Sequence, residues 1–195
     1  MASTLEGTSA PSACRRVLLF LLLLLCFLID IPYNNIFCVE AAASNEDDAV
    51  EHVCRSHVDY NFCRAALGSD PGSRNADLNA LGFISLRLVK ENVTDTTLFI
   101  REELSRERDE GKKRALSQCL GAYRQAADDA EDARRALSNK NYQTMSIEAL
   151  AVGGAAEGCD RAVGGFAGGG DPIRVMNRDL DRLSEIAWVI AVNLR

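Results

Sequence analysis

Three segments of this chain place apolar or small residues at alternating four- and three-residue steps. The first is Cys119, Tyr123, Ala126, Ala130, Ala133 and Leu137; the second is Met145, Ala149, Val152, Ala156, Cys159 and Val163. The third is Met176, Leu180, Leu183, Ala187, Ile190 and Leu194. Such steps return a side chain to one face of an α-helix, whereas a strand alternates at every second residue, so each segment reads as a helix with one buried stripe. A fourth segment, about residues 77–105, carries Leu81, Ile84, Leu88, Val89, Val93, Ile100 and Leu104 and reads as a long helix buried on more than one side. No stretch sustains strand alternation. The expectation is an all-α chain with four main helices.

The punctuation between the stripes agrees with this reading. Ser138-Asn139-Lys140-Asn141 is a short polar break, so its flanking helices should be antiparallel neighbours. Gly164 to Gly170 reads as a connector, after which Asp171 can cap the last helix with Pro172 at its first position. That glycine run lacks the Gly-Lys-Ser/Thr ending of a phosphate cradle. Cys119 and Cys159 each lie 20 residues from Asn139. Folded about that turn they face each other at one height, and a Cys119–Cys159 bridge follows. Cys54 and Cys63 then pair, stapling a hairpin built from about 48–57 and 60–67.

The remaining three of the seven cysteines, Cys14, Cys26 and Cys38, belong to a different segment. Arg15 and Arg16 precede an uncharged 13-residue run from Val17 to Ile29, and Ala41-Ala42-Ala43 follows. A charged start, a short apolar core and small residues at a cleavage point spell a secretory signal peptide. The run falls short of the roughly 20 apolar residues that span a bilayer. Residues 1–43 are therefore read as a signal cut between Ala41 and Ala43, and 44–195 as the mature domain, with a hairpin at about 47–68 and a bundle at about 76–195. The four retained cysteines enter an oxidising compartment, which favours bridges. The mature chain keeps 20 basic and 25 acidic side chains. It should be secreted, free of the membrane after cleavage, and monomeric when unbound. Asn92-Val93-Thr94 is a sequon for N-glycosylation within the long helix.

Catalytic material is scarce. The net charge of −6 offers no footprint for nucleic acid. His52 and His57 are the two histidines of the chain and stand beside Cys54. A zinc site from both histidines with Cys54 and Cys63 is the alternative to a bridge, but secreted thiols oxidise. No nucleophile with a paired base, no metal site and no cofactor site is expected. Small residues on the inward stripes leave little room for a cofactor, and Trp188 and Phe166 read as core. The acidic run Asp128, Asp129, Glu131 and Asp132 reads as an exposed face, either merely solvated or a docking surface for a basic partner.

The framework resembles the plant invertase/pectin methylesterase inhibitor family. The carriers are Cys54 with Tyr60-Asn61-Phe62-Cys63, Leu67-Gly68-Ser69-Asp70-Pro71, and Ala76-Asp77-Leu78 with Leu81-Gly82. Cys119 with Tyr123 and Ala126, Tyr142 seventeen residues before Cys159, and the 183–194 helix complete the set. The resemblance implies an up-and-down four-helix bundle with an N-terminal hairpin and bridges joining first to second and third to fourth cysteine. It implies a protein that is not an enzyme but caps the active-site cleft of one in the cell wall or apoplast. The Tyr142–Cys159 interval looks like the branch that inhibits pectin methylesterase. The other branch inhibits acid invertase and often carries Pro-Lys-Phe near Asn139-Lys140-Asn141-Tyr142, where this chain has none. The first branch commonly has acids where Gly121 and Gln125 stand, a third at Asp128, a Thr at Gly158 and an acid at Arg161. Those five positions are the candidate target contacts. Pectin methylesterase is the expected partner, acid invertase the second, and a non-inhibitory secreted binding protein the third.

Overall fold

The computed structural model describes residues 49–166 and 170–195; the segment read as a signal lies outside the described residues. Two short helices come first, α1 at Ala49–Arg55 and α2 at Tyr60–Gly68, followed by a 3₁₀ turn at Pro71–Asn75. Four long helices follow: α3 at Leu78–Arg106, α4 at Glu110–Ser138, α5 at Tyr142–Val163 and α6 at Pro172–Asn193. The long helices pack as a ring in which α3 touches α4, α4 touches α5, α5 touches α6, and α6 closes on α3. The α1–α2 hairpin sits against α3 and α6.

Helices α2 to α6 each start where the sequence provides an acceptor for the free N–H groups of a first turn. Asp59, Asp77, Asp109, Asn141 and Asp171 all cap in this way, and Pro172 occupies the first turn of α6. At the end of α4, Asn141 N–H donates to Ala136 O (2.8 Å) and Lys140 N–H to Leu137 O (2.9 Å). This is the Schellman pattern, with Lys140 at the left-handed position (φ 56°) usually held by glycine. The side-chain penalty there is of order 1–2 kcal/mol, and the tight reversal it permits lays α5 along α4.

The stripes of α4 and α5 are buried throughout, from Cys119 to Leu137 and from Met145 to Val163. In α6, Leu180, Leu183, Ala187 and Ile190 are buried, while Met176 and Leu194 at the two ends are half-buried. Bridges join Cys54 to Cys63 and Cys119 to Cys159, with Cα–Cα distances of 5.4 and 4.4 Å. The zinc alternative is thereby removed, since both thiols it needs are oxidised. The expectation that Phe166 is core is also wrong: it is 50% exposed, its ring lying over the Gly111 backbone beyond the end of α5.

Two polar features tie the pieces together. His57, at the hairpin turn, is buried. Its Nδ1 lies 2.9 Å from both the N–H and the O of Asp59, and its Nε2 faces Arg182 O at 3.1 Å and Glu185 Oε2 at 3.4 Å. Arg182 in turn lies over the Phe62 ring (5.1 Å) and pairs with Asp59 (3.1 Å), docking the hairpin on α6. The second feature crosses the bundle core. Thr96 of α3 lies beside the Tyr123 hydroxyl of α4. That hydroxyl donates to Asn177 Oδ1 of α6 at 2.7 Å, and Asn177 Nδ2 donates to Asp160 of α5 at 2.5 Å. Thr96, Tyr123 and Asn177 are each at most 1% exposed.

Candidate functional site

The outer face of α4 carries three of the five expected contacts in a single stripe. Gly121, Gln125 and Asp128 recur at four and three residues, opposite in phase to the buried stripe, and all are exposed. Gly121 has no neighbour within 4 Å of where a Cβ would stand, so this end of the stripe is bare backbone. Gln125 donates to Asp129 Oδ1 at 2.8 Å, which commits its amide nitrogen.

The acidic run on this helix is not one uniform face. Asp129 is buried at 9% exposure, which corrects the expectation that all four acids lie outward. It directly precedes core Ala130, and Gln125 satisfies its carboxylate. Glu131 is bidentate to Arg134, whose guanidinium holds its carboxyl below the usual range, and Asp132 pairs with Arg135. Asp128 has no hydrogen-bond or ion-pair partner among the described residues. One acid of the run is thus left without an internal partner.

On α5, Gly158 is half-buried and Arg161 exposed, one turn further along. The Cys119–Cys159 bridge brings Gly121, two residues past one bridged cysteine, and Gly158, next to the other, to nearly the same height. Arg161 leans back toward Glu157 (3.5 Å). At the α4–α5 tip a shallow hollow of about 300 Å³ is lined by Asp132, Arg135, Asn139, Asn141, Thr144 and Glu148. Asp132 and Arg135 continue the phase of the α4 stripe into this tip, and the buried bridge beneath keeps α4 and α5 from sliding past each other.

Neither histidine stands in a reacting constellation. His57 is committed to the hairpin, and His52 meets Asn193 Oδ1 at 3.0 Å on the surface. Among the described residues no group of three or more His, Cys, Asp or Glu side chains is placed to hold a metal ion. No described helix is long and apolar enough to cross a membrane. Asn92 is half-buried in α3, accepting weakly from Thr96 (3.4 Å), and Thr94 donates to Lys90 O (2.8 Å).

The profile of the plant invertase/pectin methylesterase inhibitor family matches residues 48–190, which take in every described helix up to the last turn of α6. The chain belongs to this family. Its members are inhibitors rather than enzymes, in keeping with helices whose polar groups serve caps, pairs and packing. A Platanus orientalis protein named "Putative invertase inhibitor" is 28% identical over 149 residues, covering 73% of this chain and 88% of its own. A pectinesterase inhibitor of Actinidia deliciosa is 26% identical over 173 residues, covering 89% and 91%. The crystal structure of a mutant form of a pectin methylesterase inhibitor from Arabidopsis superposes with a TM-score of 0.68. It is 21% identical and covers 73% of this chain and 95% of that one. At that identity the likeness speaks for the fold alone. Relatives carrying either target in their names are thus similar to this chain to nearly the same degree.

Sequence reading missed the polar chain that ends at Asp160. A signal was present: Asn177 and Ser184 fall in phase with Leu180 and Ala187, so polar residues stood at inward positions of α6.

Proposed function

We propose that this protein is a secreted inhibitor of pectin methylesterase that covers the enzyme's active-site cleft in a one-to-one complex at the cell wall. The observation that carries the reading is the unpartnered Asp128 on the exposed α4 stripe, at the position where the resemblance expects an acid of this branch. An exposed charge with no internal partner loses little on meeting a cation, so its attraction goes to the complex. The absence of Pro-Lys-Phe from Asn139-Lys140-Asn141-Tyr142 supports the same branch. Secretion rests on residues 1–43 read as a signal, and Asn92 is the proposed glycosylation site. Gly121, Gln125, Gly158 and Arg161 are proposed as contacts around Asp128, with Gly121 admitting close approach. The free protein is proposed to be a monomer.

A second reading, inhibition of acid invertase, is favoured by the name of the Platanus relative. The two are separated by adding the purified protein, in parallel, to a pectin-demethylation assay and a sucrose-hydrolysis assay. Loss of esterase activity that Asp128→Lys restores supports the proposal. Loss of sucrose hydrolysis with intact esterase activity transfers the protein to the second reading, and loss of neither overturns both.

A further inference from the structure

The seam between α5 and α6 opens outward as a groove. Gly153 creates it: a Cβ there would lie 2.7 Å from Ser184 Oγ and 3.2 Å from Asp181 Oδ1. The two backbones therefore approach closely, and flanking side chains wall a trough instead of filling it. Neighbouring Gly154 has nothing within 4 Å of a Cβ position. Two hollows, of about 340 and 510 Å³, share Glu157 and Asp181 and so form one continuous channel. Its α6 wall runs from Arg174 to Trp188, about 21 Å at 1.5 Å per residue.

The chemistry of the wall changes along that length. At one end stand Arg174 and Arg178, one turn apart. Neither has an ion-pair partner among the described residues, and Arg174 Nε is buried with no acceptor. A buried donor left unpaired costs free energy and so asks for a partner. The middle carries Glu157, Asp160, Asp181 and Glu185. Burial first, then the charges of Glu157, Glu185 and Asp160 against the opposing Arg182, hold the Asp181 carboxyl above its usual range. The far end is apolar: Leu150 is 55% exposed and Trp188 half-buried, with bare Gly154 beside them.

A wall that runs cationic, anionic, apolar complements a strand that runs anionic, cationic, apolar. An extended chain advances about 3.3 Å per residue, so roughly six residues span the channel. We infer that the α5–α6 groove docks an extended segment of a partner protein presenting a carboxylate, a cation and an apolar side chain in that order. The carboxylate takes the Arg174–Arg178 pair and supplies the missing acceptor. The cation lies among Glu157, Asp181 and Glu185 and relieves their mutual repulsion, and the apolar side chain covers Leu150 and Trp188. Gly121, Gln125 and Asp128 lie on α4, which lines no part of this channel, and Gly158 and Arg161, though on α5, do not line it either, so the inference does not depend on the inhibitory reading.

Trp188 is the single tryptophan of the chain and lines the groove, so binding can be read from its emission. The test titrates the mature protein with an acetylated, amidated peptide Glu-Ser-Ser-Lys-Ser-Leu at low ionic strength. Saturable change in Trp188 emission is expected. The charge-swapped peptide Lys-Ser-Ser-Glu-Ser-Leu should bind at least tenfold more weakly, as should the original peptide to the Glu157→Gln/Asp181→Asn variant. Gly154→Leu, which fills open space and improves helix propensity, should abolish binding while folding normally. Asp95→Asn/Glu102→Gln, an equal charge change on exposed positions of α3, should leave binding unchanged. No saturable change up to about millimolar peptide, equal binding of the charge-swapped peptide, or equal weakening by Asp95→Asn/Glu102→Gln would each overturn the inference.

Discussion

Replacing Tyr123 by Phe removes one oxygen atom from the middle of the bundle and tests whether the polar chain sets its stability. The Tyr123 hydroxyl is fully buried and donates to Asn177 Oδ1 at 2.7 Å. The ring itself keeps its packing, so no large cavity opens. The lost hydrogen bond is worth about 1 kcal/mol net, and leaving buried Asn177 Oδ1 unpaired adds about 1–2 more. The expected loss is about 2–3 kcal/mol. For a domain of about 150 residues that lowers Tm by roughly 4–12 °C. With a urea m-value of about 2 kcal/mol/M, the midpoint should fall by about 1–1.5 M with m unchanged. Burial pushes the Tyr123 phenol well above its usual range, so it remains a donor and the loss should be flat from pH 5 to 9. Urea denaturation of oxidised protein, with Asn177→Ala and the double variant completing a cycle, gives the coupling directly. A loss below about 0.5 kcal/mol, or strictly additive variants, would refute the idea that these groups act as one chain.

Four further outcomes follow from the same structure. The Cys119–Cys159 bridge closes 40 residues and Cys54–Cys63 closes 9, so chain entropy gives losses of about 4 and 2.6 kcal/mol for paired Cys→Ala variants; an equal or reversed order in urea denaturation would contradict it. Asp181 has a raised pKa in the fold, so the folded state binds the extra proton and stability falls as pH rises through that raised value; Asp181→Asn should therefore raise Tm at neutral pH and lose its advantage below about pH 3.8, the unperturbed value. Glu107 shows the opposite sign. Backbone N–H groups of Asp109 and Arg108, with Lys112, lower its pKa to about 2, so its contribution is full above about pH 4.5 and fades toward pH 2, and Glu107→Gln should narrow the acid-induced drop in Tm. Finally, a Cβ on buried Gly82 would meet Leu137 at 2.9 Å, so Gly82→Ala should lose stability through overpacking despite better propensity, whereas Gly154→Ala in open space should gain up to about 1 kcal/mol; thermal melts of the two variants decide it.

The parts of this fold that depend on period were legible, because helix geometry alone dictates a 4-3 stripe and a polar break alone dictates a reversal. Cys119 and Cys159 fall opposite each other for that reason. What depends on a single side chain's choice of neighbour was not legible. Asp129 sits between exposed Asp128 and buried Ala130, and only the angle of one residue separates an outward carboxylate from one tucked against Gln125. Phe166 is apolar enough for a core, yet it follows the last turn of α5, where no helix remains to cover it. One four-helix frame serves two inhibitory branches, so the choice of target rests on a few exposed positions rather than on the fold.

The same physics explains why an alanine-rich bundle needs a polar centre. Ala126, Ala130, Ala133, Ala149 and Ala156 let α4 and α5 approach closely but interlock weakly, and a stripe of like small residues fits nearly as well after a slip of one turn, 5.4 Å. The Cys119–Cys159 bridge forbids that slip between α4 and α5. No bridge reaches α6, and there the chain from Tyr123 through Asn177 to Asp160 does the equivalent work, because one turn of displacement would strand the buried Tyr123 hydroxyl and Asn177 amide. Register so fixed keeps the α4 stripe and the α5–α6 groove at constant spacing before any partner arrives. A surface held in its bound geometry spends little binding energy on ordering itself. Loosening the core at Tyr123 should therefore weaken complex formation even though Tyr123 touches no partner, and it should do so by slowing association of the fraction that is correctly registered.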